Sequence, residues 1–272
     1  MRGINPLASI GPACTARRMT DARKSRIARA FGQADDYARK AVIQRQVAQA
    51  LARKTAALPL PPTPHVLEIG CGTGFLTGEL ARRLPGARWT ITDIAPEMIA
   101  RAATITGIAG DYRVMDGERP IFDGAMFDLI ASSLTFQWFS DQPSAVVQLA
   151  GLLRPGGSIA FATMAAGSFP EWHAAHDATG LIPATPAYPD RADLAAMAPA
   201  GFAVDISIES FVQPHDDAWD FMRRLKAIGA GVPREGHRAL SPSALRAVAG
   251  AYDAGPRTAT YRIGFCLLRA PD

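Results

Sequence analysis

The sequence predicts an α/β fold, a mostly parallel sheet with helices on both faces, and three observations carry that reading. Between Val66 and Thr163, short apolar runs of strand length alternate with helix-length segments, the rhythm of a parallel sheet crossed by helices. The first run, His65-Val66-Leu67-Glu68-Ile69, enters a loop holding Gly70, Gly72 and Gly74, and a helical stretch follows directly. The second run delivers Asp93 about 20 residues further on, the spacing at which an acid accepts hydrogen bonds from a ribose.

Each element follows in order. Residues 1–20 contain Gly, Pro, Ser and Arg without hydrophobic periodicity and read as a disordered leader, with Met19 a second candidate start. From Asp21 to Ala57, Ile27, Phe31, Val42, Ile43, Val47, Ala50 and Leu51 recur at helical spacing, so residues 21–58 form an N-terminal helical cover. Pro59, Pro61, Pro62 and Pro64 end it and make a stiff linker. Val66–Ile69, Trp89–Thr92, Tyr112–Met115 and Phe127–Ser132 are the first four strands. Phe75–Arg83, Pro96–Ala103 and Gln142–Leu153 are the helices between and after them. Pro96 sits in a first turn, where its missing N–H costs nothing. Arg154-Pro155-Gly156-Gly157 reads as a sharp stop before strand Ser158–Thr163. Beyond it, Phe169–Thr179, Asp190–Met197, Asp216–Ile228 and Pro242–Tyr252 read as helices, and Phe202–Phe211 and Thr258–Leu268 as long strands. The main domain therefore spans 65–272, with helical lid insertions at about 168–200 and 214–255.

Composition narrows the function classes. Hydrophobic residues make up 48% of the 272 residues and charged residues 20%, which supports a core and excludes a disordered chain. No apolar run approaches the roughly 20 residues of a membrane-spanning helix, and no signal-peptide pattern opens the chain, so a cytoplasmic location is expected. The three cysteines, Cys14, Cys71 and Cys266, lack disulfide or metal-ligand spacing, and no metal is expected. The net charge of +4 is compatible with an acidic partner. Basic residues cluster between Arg17 and Arg29 and at Arg223-Arg224-Leu225-Lys226; solvated helix faces explain both clusters equally well. No aromatic residues interleave with them as nucleic-acid binders require.

In such a sheet, ligands bind beyond the carboxyl ends of the strands, where Glu68–Gly74, Asp93, Asp116 and Ser132 all fall. An acid before three alternating glycines, with a ribose-binding acid after the second strand, resembles motif I of class I S-adenosylmethionine-dependent methyltransferases. That resemblance implies a Rossmann-like, seven-stranded sheet and S-adenosyl-L-methionine as methyl donor. It implies a donor site of Glu68, Gly70, Gly72, Gly74, Asp93, Ile94, Asp116, Gly117 and Ser132. Asp116 would read the adenine amino group, although Asp-Gly is also an ordinary turn dipeptide. Glu68 would either meet the donor's amino group or brace the loop.

A closer resemblance rests on five segments. Ile27-Ala28-Arg29-Ala30-Phe31 through Tyr37, Ser132-Ser133-Leu134-Thr135-Phe136-Gln137-Trp138, Phe161 through Glu171, Leu225-Lys226-Ala227-Ile228-Gly229-Ala230, and Thr260-Tyr261 are similar to the malonyl-[acyl-carrier protein] O-methyltransferases of biotin synthesis. Ser133 and Gly231-Val232 depart from that family's usual residues. The resemblance implies acyl carrier protein bearing a malonyl thioester as partner and its free carboxylate as methyl acceptor. Tyr37 would cover the sulfonium, Gln137 and Trp138 would wall the acceptor pocket, and Lys226 or Arg223 would orient the carboxylate; packing or solvation explains each of these residues as well. Transfer to an ionised carboxylate needs positioning and desolvation rather than a catalytic dyad. Consistently, the five histidines are scattered. The rival readings are methylation of another small carboxylic acid or a quinone precursor, or a non-catalytic assembly factor with this fold.

Overall fold

The computed structural model describes Lys24, Ser25, Arg29 and residues 41–227 and 239–272. The leader, residues 21–23, 26–28 and 30–40 of the predicted N-terminal cover, Tyr37 among them, and Ile228-Gly229-Ala230 lie outside the described residues. Helix α1 (Val42–Thr55) opens the continuous part. Its Ile43, Val47 and Leu51 recur every four residues and are buried, so one stripe of the helix meets the core.

Strands β1 (His65–Ile69), β2 (Arg88–Asp93), β3 (Asp111–Val114), β4 (Phe127–Ser133), β5 (Leu153–Met164), β6 (Ala203–Pro214) and β7 (Thr258–Arg269) form one sheet in the order β3-β2-β1-β4-β5-β7-β6. β1 to β5 run parallel, and β7 lies antiparallel between β5 and β6. Helices α2 (Phe75–Ala81), α3 (Pro96–Thr106), α4 (Gln142–Ala150), α5 (Pro170–Asp177), α6 (Arg191–Ala196), α7 (Ala218–Ala227) and α8 (Pro242–Asp253), with a single 3-10 turn at Phe136–Trp138, complete the described elements of the continuous part. This is the Rossmann-like α/β architecture that the sequence predicts.

Two hydrophobic layers sandwich the sheet. α1, α2, α5, α7 and α8 share one face with Val66, Ile91, Leu129 and Phe265. α4 and α6 cover the other, over Leu67, Ile130, Phe161 and Cys266. The strand order turns at β1, whose neighbours β2 and β4 carry their following loops away in opposite directions. A crevice at the carboxyl end of β1 follows from that topology alone.

Two sequence expectations change. The stop predicted at Arg154-Pro155-Gly156-Gly157 lies inside β5. Phe127 pairs with Leu153 and Leu129 with Ser158, so β5 carries three more residues than β4 across that interval. Gly156 takes φ 70°, and the C-terminal segment holds the bulge by bonds from Gly156 N to Pro271 O and from Ala270 N to Gly157 O. Insertion 168–200 also divides between the two faces: Trp172 of α5 packs on one and Leu194 of α6 on the other. No helix among the described residues is long and apolar enough to cross a membrane.

Candidate functional site

At the crevice lies a cleft of about 710 Å³, part of it open to solvent. It is lined in strand order. Ile69 ends β1, and Gly70 and Gly72 follow it; Asp93, Ile94 and Met98 end β2 and begin α3; Met115, Asp116 and Gly117 follow β3; Ser133 ends β4, and Leu134, Thr135, Trp138 and Phe139 follow it; Lys24 closes one side. Among the described residues no histidine or cysteine lines it. Among the described residues no group of acids, histidines or cysteines is arranged to hold a metal ion.

Local chemistry fixes each wall. Gly70 takes φ 69°, and a Cβ there would press into the Thr135 side chain, so only glycine lets the two loops meet. Asp93 is 8% exposed. Its Oδ2 accepts from Gly72 N at 2.9 Å and its Oδ1 from Ala95 N at 2.9 Å, tying the glycine loop to the start of α3. Burial raises the Asp93 carboxyl above its ordinary value against the opposing N–H groups of Ala95, Gly72 and Ile94. Each carboxylate oxygen retains acceptor capacity toward a ligand.

Asp116 accepts from Glu118 N at 3.0 Å on Oδ1 and from Lys24 Nζ at 2.6 Å on Oδ2. Apolar Ile94, Met98, Met115, Leu134, Trp138 and Phe139 make the rest of a slot. Leu134 holds φ 54°, a costly conformation for a branched side chain and one that tends to persist where a site is over-determined. Two carboxylates in an apolar slot suit a flat, partly polar group that carries a diol and an exocyclic amine.

The structure brings Gly70, Gly72, Asp93, Ile94, Asp116, Gly117 and Trp138 together and sets other predicted residues apart. Glu68 is fully buried behind the loop, where it accepts from the Thr77 hydroxyl at 2.6 Å. Burial pushes its carboxyl up to about 8, the Thr77 hydroxyl opposing and the Asp93 charge adding to the rise. The geometry matches the bracing alternative. Gly74 begins α2 at φ 86° beside Thr106 and is not a wall residue.

Ser132 gives its hydroxyl to Ile69 O at 2.9 Å; strand alternation turns it inward, and Ser133 faces the cleft instead. Gln137 is a strut, its Nε2 on Leu134 O at 2.7 Å and its Oε1 accepting from Thr163 at 3.3 Å. Lys226 is exposed on α7, and among the described residues none from the helices after β5 lines this cleft. Arg224 turns to Asp220 at 2.8 Å, while Arg223 lies 3.9 Å from both Asp217 and Asp220.

Lys24 and Glu118 were not singled out by sequence reasoning as site residues. Lys24 is 8% exposed and Glu118 7%, and their pairing spans most of the N-terminal half. The nearest available signal for Glu118 was its place two residues beyond Asp116.

Comparison with known proteins agrees with this geometry. Residues 66–157 match the family model described as "Methyltransferase domain". The chain is similar to the biotin biosynthesis bifunctional protein BioCD of Bordetella avium, 45% identical over 88% of this chain. It spans 50% of that longer protein. It is also similar to the malonyl-[acyl-carrier protein] O-methyltransferase of Magnetococcus marinus, 38% identical over 89% of this chain and 91% of that one. In fold it resembles a putative methyltransferase from Bacillus halodurans, with TM-score 0.58 and 14% identity over 82% of this chain and 99% of that one. It also resembles the N-methyltransferase NodS of Bradyrhizobium japonicum, solved with S-adenosyl-l-homocysteine, with TM-score 0.51 and 16% identity over 93% of this chain and 100% of the other.

Proposed function

The chain belongs to the malonyl-[acyl-carrier protein] O-methyltransferase family, and from that premise we propose that it transfers a methyl group from S-adenosylmethionine to the free carboxylate of malonyl-[acyl-carrier protein]. The observation that carries this reading is the cleft at the β1 crevice, with Asp93 and Asp116 set in an apolar slot. The residues present fit the donor. Asp93 accepts from a ribose diol, Asp116 from an exocyclic amine, and Ile94, Met98 and Met115 pack a ring.

When bound, S-adenosylmethionine supplies a methyl carbon made electrophilic by its sulfonium. A malonyl carboxylate is already ionised near neutral pH, so no side chain has to remove a proton. The task of the chain is to place the acceptor oxygen in line and strip part of its water. Leu134, Trp138 and Phe139 present the apolar surface for that, and Gln137 holds the backbone beneath them. On the family resemblance, Tyr37, which lies outside the described residues, would present an electron-rich ring to the sulfonium. Lys226 and Arg223 give α7 a basic edge toward an acidic carrier protein. The ester product hides the charge of a starter unit, so that chain-elongating enzymes with apolar tunnels can accept it on the way to biotin.

The test compares malonyl-[acyl-carrier protein], malonyl-CoA, free malonate and acetyl-[acyl-carrier protein] as acceptors of labelled methyl. The malonyl carrier protein should react fastest, its lead shrinking as salt screens charge over about 8 Å. The acetyl form, lacking the carboxylate, should take no label. Equal rates on free malonate and on the carrier-bound form would replace this reading with a small-acid methyltransferase.

A further inference from the structure

We infer that Lys24 and Glu118 act as the positioning pair of the donor site, a role that rests on the cleft being where the donor binds. Glu118 joins three stretches of chain through one carboxylate. Its Oε1 accepts from Ser140 N at 2.7 Å, from the Ser140 hydroxyl at 2.7 Å and from Asp141 N at 2.9 Å. These bonds fasten the loop after β3 to the backbone just beyond Trp138 and Phe139. Its Oε2 lies 2.6 Å from Lys24 Nζ, and the same ammonium reaches Asp116 Oδ2 at 2.6 Å. The cover, the Asp116 loop and the Trp138 loop therefore meet at a single buried charge cluster.

The electrostatics explain why an ammonium stands there. Two neighbouring carboxylates disfavour each other's ionised form, and one cation between them removes the conflict. Burial works against charge on Glu118, but Lys24, the Asp141 N–H and the Ser140 hydroxyl outweigh it and hold the carboxyl below its ordinary range. Burial likewise opposes charge on Lys24, and Asp116 and Glu118 reverse it, raising the ammonium above its ordinary value. Removing Lys24 leaves two neighbouring carboxylates uncompensated, and neutralising Glu118 takes away half of the pairing that holds the ammonium between the loops; either state is relieved by the loops moving apart. The moving parts carry Asp116 and Trp138, so donor affinity registers the loss. Neither member of the pair is assigned contact with the transferred methyl group.

The experiment uses the full chain with Lys24→Met and Glu118→Gln, singly and combined. Calorimetric titration with S-adenosylmethionine and with S-adenosylhomocysteine gives affinities, and turnover is measured across donor concentration. Each single substitution should weaken donor binding about tenfold, or ~1.4 kcal/mol. The double variant should bind little worse than either single, because the pair is broken once. Donor KM should rise with Kd while kcat falls far less, and Lys24→Arg should restore most of the affinity.

Thermal melts without donor check that each protein is folded; if Glu118→Gln fails to fold, the Met and Arg variants of Lys24 decide alone. Lys24→Met binding donor as tightly as the parent would overturn the proposal. Tighter binding would do so too, by making Lys24 a plug on Asp116, and so would single effects that simply add. Asp93→Ala separates this failure from a broader one. If Asp93→Ala weakens binding and the pair variants do not, only the pair falls; if Asp93→Ala also binds normally, the cleft is not the donor site and both readings fall.

Discussion

The two ends of the sheet are built by different rules. β1 to β4 are short, four to seven residues each, and parallel, and the loops at all four carboxyl ends line the cleft. β5, β6 and β7 are twelve residues each, β7 runs antiparallel to both neighbours, and none of them contributes a wall. Past β5, side chains go into an aromatic cluster instead. Phe221 sits 5.3 Å from Trp172, 5.7 Å from Phe169 and 5.6 Å from Tyr252 by ring centroids. Glu171 at the start of α5 accepts from Thr260 N at 3.0 Å and also takes the Thr258 and Thr260 hydroxyls, pinning that cluster to β7. Short strands end early and leave loops free to shape a ligand site, whereas long paired strands with stacked rings supply rigidity. Recognition and stability should therefore respond to mutation separately.

The largest effect should come from the antiparallel end. Phe221 is fully buried, and Phe221→Ala should cost about 3–5 kcal/mol of stability in chemical denaturation. Under native conditions its donor affinity should stay within about twofold of the parent, as for independent distant sites. A collapse of donor binding in the folded variant would show the two ends to be one cooperative unit.

Gly70→Ala attacks the boundary between the loops. A left-handed backbone at a non-glycine residue plus contact with Thr135 should cost about 2–4 kcal/mol. Because the loop itself must move, donor titration should show a loss of more than about tenfold. Intact donor binding would mean that Thr135 gives way instead.

The most gradual effect, spread over several pH units, concerns Glu68. Its folded carboxyl is raised to about 8 from an ordinary 4.5. Its contribution is therefore fully present below the unfolded value and is lost as pH rises through about 8. The donor-free protein should lose stability across that window at no more than about 1.4 kcal/mol per pH unit from this group. Glu68→Gln should flatten the profile, measured as denaturation midpoints from pH 5 to 8.5. A parent profile that is already flat would show that water reaches Glu68.

The parallel half was legible because its signals are local. The glycine loop, Asp93 and the apolar runs each announce themselves within a few residues, and strand bounds moved by only one or two positions. Arg154-Pro155-Gly156-Gly157 misled because Pro and Gly signal a turn locally, while the bonds that keep the segment in β5 come from Pro271 and Ala270. Ser132 and Ser133 stand side by side, and strand parity, which the pattern alone does not fix, decides which one faces the ligand. Gln137 reads as a pocket group until its amide is seen to be used on Leu134 and Thr163. Lys24 counted as one more member of a basic stretch, since its partners Asp116 and Glu118 lie more than ninety positions away. Pairings of that range become visible only when the chain is folded.

The position of β7 has a consequence in time. β6 hydrogen-bonds to no strand but β7 within this sheet, yet β7 follows it by more than forty residues in the chain. During synthesis at roughly 5–20 residues per second, β1 to β5 can assemble while β6 has no neighbour to bond and the outer edge of β5 lies open. The last strand then enters between them and closes two ladders at once. Such non-local pairing is slow, and until it happens the nascent protein exposes two unpaired strand edges, the surfaces most prone to join the wrong chain.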